Sequence, residues 1–256
     1  MEYVAVDSEE PAFRVGNPEG ASPFVIVCDH ASNRIPDRYG NLGLSLAERL
    51  THIAWDPGAL SVSRRIANRL DAPLVSSTVS RLVIDTNRDL DAPDLIWTLS
   101  ESTRIEANEN LSDDERQFRI DNYHEPFHQA LGELLDQRLM RDQETILVCV
   151  HSFTPVFHGV ERPWPIGILH GLDDRFSDAV RQHIQYEDPN LLIGWNQPYA
   201  AMAGVTLTME RHGDGRGLTN TMIELRNNEI LDEYGAQLWA DRLVRGLSTA
   251  RINLRD

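Results

Sequence analysis

The amino-acid sequence predicts an α/β fold of three layers, in which helices cover both faces of a mixed, mostly parallel β-sheet. Short apolar runs rich in β-branched residues alternate along the 256 residues with longer segments of helical spacing, a pattern typical of strand–helix–strand units. The run Phe24–Cys28 is apolar throughout, which favours a strand covered on both faces. At roughly 100–200 residues per domain, we expect residues 1–256 to form a single domain.

The other elements follow in order along the chain. Helical spacing begins at Leu44, is interrupted at Asp56-Pro57-Gly58, and continues to Leu70. Short apolar runs predict further strands over residues 73–76, 82–85, 145–150, 166–170, 191–194, 205–209 and 221–225. Apolar residues at helical spacing predict helices over 113–140, with a break near Pro126, and over 174–186 and 230–250. Residues 91–111 are polar and irregular, long enough for a lid or a surface loop.

The charge balance argues against several classes of function. The chain carries 24 basic and 40 acidic residues, and so acidic a surface does not favour nucleic acid. All 24 basic residues are arginine, which excludes a Schiff-base lysine and a phosphate-loop lysine. No apolar run approaches the ~20 residues of a membrane span, and residues 1–10 do not resemble a signal peptide. We therefore expect a soluble, cytoplasmic protein without a membrane or nucleic-acid partner.

Two histidines follow two of the predicted strands. Ligand sites in open α/β sheets lie at the carboxyl ends of the strands. His30 and His151 each come two residues after a cysteine in an apolar run, Cys28 and Cys149, which places both at the same point of their strands. Two histidines from two strand ends suit a zinc ion that keeps one position open for water.

The third metal ligand is open between two residues. His52 and Asp56 are four apart in the segment HIAWD, so on a helix they share one face. Asp56 could instead begin a new helix before Pro57-Gly58. Asp29 could orient His30 through the ring nitrogen that does not face the metal.

Arginines near two further strand ends suggest a site for an anion. Arg81 and Arg88 flank the predicted strand 82–85, and Asn87-Arg88 follows it. Arginine binds a carboxylate through two parallel N–H bonds, and the neighbouring amide adds a neutral donor. Glu224 lies inside an apolar run, where a carboxylate needs Arg226, a metal or a catalytic role to offset the cost of burial.

Three more histidines could reach the same place. His212 lies in the glycine-rich segment RHGDGRG and could contact a substrate from a flexible position. His124 and His128 are four apart on the long predicted helix and could line the cleft.

The order of these motifs resembles the N-formylglutamate amidohydrolase family. The resemblance runs from about Val25 to Ile230, most of the chain, and its most specific part is SRLxIDxNR. The matching residues are Asp29-His30, His52-x-x-x-Asp56-x-Gly58-Ala59, Ser80-Arg81-Leu82-x-Ile84-Asp85-x-Asn87-Arg88, His151-Ser152 and Ile223-Glu224-Leu225-Arg226.

The resemblance implies a fold similar to that of zinc-dependent exopeptidases, and a metal site. It implies that His151 and His30 are metal ligands. Carboxypeptidases carry a glutamate three residues after their first metal-binding histidine, where this chain has Asn33. Asparagine is a poor zinc ligand, so we favour Asp56 over His52 as the third ligand.

The resemblance also implies a reaction, the hydrolysis of a small N-acyl amino acid, in particular of N-formyl-L-glutamate to formate and L-glutamate. Glu224 would be the general base, and Asn87 with Arg88 would hold a substrate carboxylate. Arg81 or Arg226 would stabilise charge on the carbonyl oxygen. The alternatives are a related zinc deacylase or carboxypeptidase with another acyl group, and a metal-free binding protein on the same fold.

Overall fold

The computed structural model describes residues 10–199 and 204–254. The strands in these residues are β1 (Phe13–Gly16), β2 (Phe24–Cys28), β3 (Leu74–Ser77), β4 (Leu99–Ser100), β5 (Thr103–Arg104), β6 (Ile146–Phe153), β7 (Val156–Phe157), β8 (Val160–Glu161), β9 (Ile166–Leu169), β10 (Ile193–Trp195) and β11 (Thr219–Arg226). The helices are α1 (Leu46–Arg49), α2 (Ala59–Leu70), α3 (Asp113–Arg119), α4 (Glu125–Met140), α5 (Arg175–Glu187), α6 (Leu207–His212) and α7 (Glu233–Asn253).

Seven strands form the central sheet in the order β1-β3-β2-β6-β11-β9-β10. The four strands β3, β2, β6 and β11 run parallel to one another. β1 is antiparallel to β3, and β9 is antiparallel to β11 but parallel to β10. The sheet is therefore mixed and mostly parallel, and this part of the sequence prediction is confirmed.

Alternate residues of the central strands enter two separate cores. In β2, Phe24 and Ile26 pack with residues of α2, α5 and α7, whereas Val25 and Val27 pack with residues of α4 and α6. This alternation follows from the two-residue period of a strand. Helices thus cover both faces of the sheet, which confirms the predicted three layers.

The predicted strand over residues 82–85 is wrong, because this segment forms a turn. Its apolar side chains are buried in a third cluster beside the sheet. Its backbone carbonyls are satisfied by side chains rather than by a neighbouring strand: Asn108 Nδ2 donates to the Leu82 carbonyl at 2.7 Å, and Arg119 donates to the Val83 carbonyl at 2.9 Å. The apolar run predicts a strand, but polar side chains that are distant in the sequence supply the hydrogen bonds that a neighbouring strand would otherwise make.

The predicted strand over residues 205–209 is also wrong, because the segment begins helix α6. Thr208, Met209 and His212 form its buried face, which is the spacing of one helical turn. In a segment of only five residues, alternating apolar and polar side chains are compatible with a strand or with a short helix, so this pattern alone does not distinguish the two.

The helical predictions differ from the structure mainly at their ends. Between Leu44 and the interruption at Asp56-Pro57-Gly58 only one turn, α1, forms, whereas the predicted continuation to Leu70 is helix α2. The break predicted near Pro126 is a π-helical turn, Ile120–His124, which joins α3 to α4, and Pro126 itself lies in the first turn of α4. None of the helices in the described residues is both long and apolar enough to span a membrane.

Candidate active site

The pairing of β6 with β11 places His151 directly beside Glu224. Strand β6 extends to Phe153, so His151 lies inside the strand rather than after it as predicted. Leu147 and Met222, on the same strands, enter the core under α4 and α6. Because side chains alternate along a strand, His151 and Glu224 project from that same face of the sheet.

His30, Asp56 and His151 form a buried group that could hold a metal ion, since one ligand atom from each lies within 4.8 Å of the others. Asp56 Oδ2 is 2.9 Å from His151 Nδ1 and 3.4 Å from His30 Nδ1. The backbone N–H of Asp56 donates to the His30 carbonyl at 2.9 Å, which fixes two of the three residues relative to each other. The structure thus brings together the three residues predicted as metal ligands.

His52, the alternative third ligand, lines the same cavity but is not part of the three-residue group. Its Nε2 is 3.3 Å from a carboxylate oxygen of Glu101. Asn33 Nδ2 donates to the Arg49 carbonyl at 3.0 Å.

The second ring nitrogen of each histidine faces a buried carboxylate. His30 Nε2 lies 2.7 Å from Asp85 Oδ1, and His151 Nε2 lies 3.1 Å from Asp29 Oδ2. The expectation that Asp29 orients His30 is wrong, because Asp29 lies beside the other histidine and Asp85 takes its place. A carboxylate there fixes the ring orientation and makes the opposite nitrogen a better metal ligand.

The charges of this group fit a cation. Asp29, Asp56 and Asp85 are all buried, and the guanidinium of Arg81 lies 2.7 Å from Asp85 and 3.6 Å from Asp56. Burial acts to raise the pKa of Asp56, but the neighbouring histidines overcome it and hold that pKa below its usual range. His30 Nδ1 is buried and has no hydrogen-bond partner among the described residues. A metal ion would use this nitrogen and balance the excess negative charge.

Glu224 is a second reactive group at the same place. Only 4% of the residue is exposed, and within residues 10–199 and 204–254 its Oε2 atom has no hydrogen-bond partner. Burial raises the pKa of Glu224 to about 7, although His151 opposes the shift. A carboxyl with such a pKa can exchange a proton near neutral pH, as a general base must.

These groups line one cavity of about 220 Å³. Its walls also include the apolar side chains of Trp97, Phe157 and Val205. Seven of the nine residues predicted for the site line it: His30, Asp56, Arg81, Asn87, Arg88, His151 and Glu224.

Arg226 and His212 do not line this cavity, contrary to the expectation that they contact substrate. Arg226 lies at the end of β11, where it bonds Glu229 at 2.7 Å and the Arg162 carbonyl at 3.3 Å. His212 lies on the buried face of α6, and its Nε2 is 3.0 Å from His128 Nδ1. Arg226 and His212 therefore contact other side chains of the protein, Glu229 and His128 respectively.

Arg88 and Asn87 are partly occupied by protein contacts. Arg88 Nε donates to Asp94 at 2.8 Å, and its Nη1 donates to the Asn87 carbonyl at 3.1 Å. The Asn87 amide accepts the Thr208 N–H at 3.1 Å and donates one N–H to the Val205 carbonyl. An asparagine amide has two N–H donors, so a second one is left for a ligand.

Sequence reasoning assigned no role to four side chains in or beside the cavity. Asp85 stands between two arginines in the motif, and that position was the available signal for a buried ion pair. Trp97, from the segment 91–111, donates to Asp85 at 3.1 Å and lines the cavity. Tyr199 also lines the cavity, and its hydroxyl accepts from the guanidinium of Arg162 at 3.3 Å. Nothing in the local sequence marked this last pair.

A possible metal group of histidine and aspartate, beside a glutamate that can exchange a proton, defines the type of site found in metal-dependent hydrolases. The chain belongs to the N-formylglutamate amidohydrolase family, whose sequence model matches residues 22–231. The resemblance noted from the motifs is thereby confirmed.

Two solved structures share the fold over nearly the whole chain. A gene product from Agrobacterium tumefaciens is 37% identical, with 96% of this chain and 97% of that chain covered and a TM-score of 0.93. An N-formylglutamate amidohydrolase from Ralstonia eutropha JMP134 is 22% identical, with 96% and 99% covered and a TM-score of 0.67. The chain has no significant match among curated proteins.

Proposed function

We propose that this protein is a zinc-dependent amidohydrolase that converts N-formyl-L-glutamate and water to formate and L-glutamate. The observation that carries the proposal is the position of a buried carboxyl, Glu224, directly beside the His30–Asp56–His151 group. Membership of the family supports the reaction. The cavity of about 220 Å³ is smaller than the roughly 300–1,000 Å³ of sites for drug-sized ligands, which suits a small amino-acid derivative.

The metal ligands in this proposal are the Nδ1 atoms of both histidines and the carboxylate of Asp56. Two nitrogens and one oxygen are a ligand set that zinc accepts in catalytic sites, with a fourth position left open. Zinc supplies Lewis acidity there, lowering the pKa of water towards about 7 and polarising a carbonyl.

Glu224 moves the proton. It takes a proton from water as the water oxygen attacks the formyl carbon, and it passes that proton to the amide nitrogen as the C–N bond breaks. The products are formate and the free amine of L-glutamate. Because burial favours the protonated form of Glu224 and raises its pKa, the carboxylate is a stronger base than an exposed one, and it can both accept and return the proton.

Two arginines interact with the negatively charged groups of the substrate. Of the two candidates for the charge on the carbonyl oxygen, Arg81 lines the cavity and Arg226 does not, so we assign this role to Arg81. Arg88, with the free N–H of Asn87, holds the substrate α-carboxylate through charge-assisted hydrogen bonds.

The test measures metal content and formate release on the same preparation. We expect about one zinc ion per chain, and formate release that is lost on chelation and restored by zinc. Glu224→Gln is the matched variant, because it should keep the metal and lose formate release.

Other outcomes separate the alternatives. Zinc without formate release would redirect the search to acetyl, succinyl and other N-acyl substrates on the same site. Neither zinc nor activity, even after zinc is added, would contradict the proposal and favour a metal-free binding protein.

A further inference from the structure

Arg162 is a buried arginine beside the cavity that none of the predicted roles uses. It lies between β8 and β9, and only 9% of the residue is exposed. Its guanidinium is 3.3 Å from the Tyr199 hydroxyl and 4.4 Å from the ring centre of Phe157. Both of these residues line the cavity, and Arg162 lies directly behind them without lining it.

The other two arginines of the site already have carboxylate partners. Arg81 pairs with Asp85 at 2.7 Å, and Arg88 pairs with Asp94 at 2.8 Å. Within residues 10–199 and 204–254, no carboxylate forms an ion pair with Arg162. A neutral hydroxyl and aromatic rings compensate a buried charge only in part, so the charge of Arg162 favours an anion at the Tyr199 hydroxyl, which faces the cavity.

Hydrogen bonds from a neighbouring arginine fix the backbone at Arg162. Arg226, which sequence reasoning placed in the substrate site, donates to the Arg162 carbonyl at 3.3 Å and to the Pro163 carbonyl at 3.2 Å. These contacts hold the backbone that carries the guanidinium, which limits the entropy lost when a ligand binds.

The charge of Arg162 reaches groups that line the cavity. It opposes the burial that raises the pKa of Glu224. It also adds to burial in lowering the pKa of His52. An anion beside Arg162 would therefore lie within electrostatic reach of the proposed base.

We propose that the Tyr199 hydroxyl, which lines the cavity, and the charge of Arg162 beside it bind a second carboxylate, the one on the substrate side chain. The inference rests on the proposed function and deepens it, because it names the residues that select a dicarboxylic over a neutral N-acyl amino acid. Arg88 binds the α-carboxylate, which all N-acyl amino acids share. Tyr199 and Arg162 bind the group that separates glutamate from glutamine.

The test compares N-formyl-L-glutamate with N-formyl-L-glutamine, which differ only in the side-chain carboxylate. Calorimetric binding is measured in the Glu224→Gln background, where turnover does not interfere, with and without Arg162→Gln. The parent should bind the glutamate derivative at least about 10-fold more tightly, the scale of one charge-assisted hydrogen-bonded pair. Arg162→Gln should remove most of this preference.

Three further variants control the comparison. Arg88→Gln should weaken both ligands by a similar factor and keep the preference. Tyr199→Phe should reduce the preference less than Arg162→Gln, and it provides the test if Arg162→Gln does not fold. Arg175→Gln changes an exposed arginine on α5 that pairs with Asp173, and it should change nothing.

The inference is overturned if the parent shows no preference. It is also overturned if the preference survives in Arg162→Gln, or if that variant weakens both ligands equally. Its failure is distinct from that of the proposed function. If the preference depends on Arg162 but the protein releases no formate, the carboxylate site is supported and the proposed reaction is rejected. If the protein releases formate but the preference does not depend on Arg162, the reaction is supported and the carboxylate site is rejected.

Discussion

Replacing Glu224 by glutamine should stabilise the protein above neutral pH and abolish its activity. The substitution keeps the size of the side chain but removes a buried charge. The pKa of the carboxyl is raised by burial from 4.5 to about 7. This shift corresponds to a change of about 3 kcal/mol in the free energy of unfolding, at about 1.4 kcal/mol for each tenfold change in proton affinity.

The sign of the effect depends on pH. Below pH 4.5 the carboxyl is protonated in both the folded and the unfolded chain, so glutamine and glutamic acid differ little. Between pH 4.5 and about 7 the unfolded chain loses the proton while the folded chain retains it, and the stability of the wild type falls relative to the variant. Above about pH 7 the difference should stay near 3 kcal/mol.

The assay is urea unfolding of chelator-treated protein at several pH values from 4.5 to 8, because a bound cation would change the charge around Glu224. In thermal scans the same difference corresponds to roughly 6–12 °C in Tm for a chain of this size. Glu133→Gln, at an exposed glutamate of α4 that pairs with Gln129, is the control and should show no such pH dependence.

Two results would refute the reasoning about Glu224. A difference in stability that does not change between pH 4.5 and 8 would mean that the carboxyl is not held protonated by burial. Formate release by Glu224→Gln at more than about a hundredth of the wild-type rate would contradict its role as the base, since such a group contributes typically 10²–10⁴-fold.

Three further substitutions test other parts of the site. Asp85→Asn weakens the orientation of His30 and should lower zinc affinity about 10- to 100-fold in competition with a chromogenic chelator, and an unchanged affinity would contradict that role. Arg88→Ala should raise KM for N-formyl-L-glutamate about 10-fold or more with a much smaller change in kcat, and an unchanged KM would reject the carboxylate assignment. His128→Gln tests stability in acid, because burial lowers the pKa of His128 from 6.5 to about 3. The wild type should therefore lose stability as the pH falls below 6.5. Urea unfolding at pH 7 and at pH 4.5 should show a smaller loss of stability for the variant. Equal losses would show that His128 is not held neutral.

The sequence predicted the metal group well because short-range rules determine it. Apolar runs located the strands, and the two-residue period with parallel pairing put His151 beside Glu224. The strand-end rule brought His30 to the same edge. Asp56 was harder to choose, because its backbone bond to His30 depends on where the chain turns after α1.

The rest could not be predicted because it depends on distant partners. Whether residues 82–85 form a strand was decided by Asn108 and Arg119, which supply hydrogen bonds from other elements. Whether an arginine can bind an anion depends on how many of its N–H donors other groups already use. Sequence spacing favoured Arg226, whereas Glu229 and backbone carbonyls take the donors of Arg226. Among the residues that the structure describes, Arg162 has a neutral hydroxyl and no carboxylate as its partner.

The buried histidines show why residue type and position alone did not identify function. His124 and His128 were also expected near the cleft, but their Nε2 atoms donate to backbone carbonyls of the loop 85–88. Burial keeps both neutral by lowering their pKa. For His30 and His151, burial acts in the same direction, yet the neighbouring carboxylates overcome it and raise the pKa. The carboxylates beside His30 and His151 favour a cation at the opposite ring nitrogen, whereas the remaining ring nitrogen of His128 already faces His212 at 3.0 Å. These partners are visible only in the folded chain.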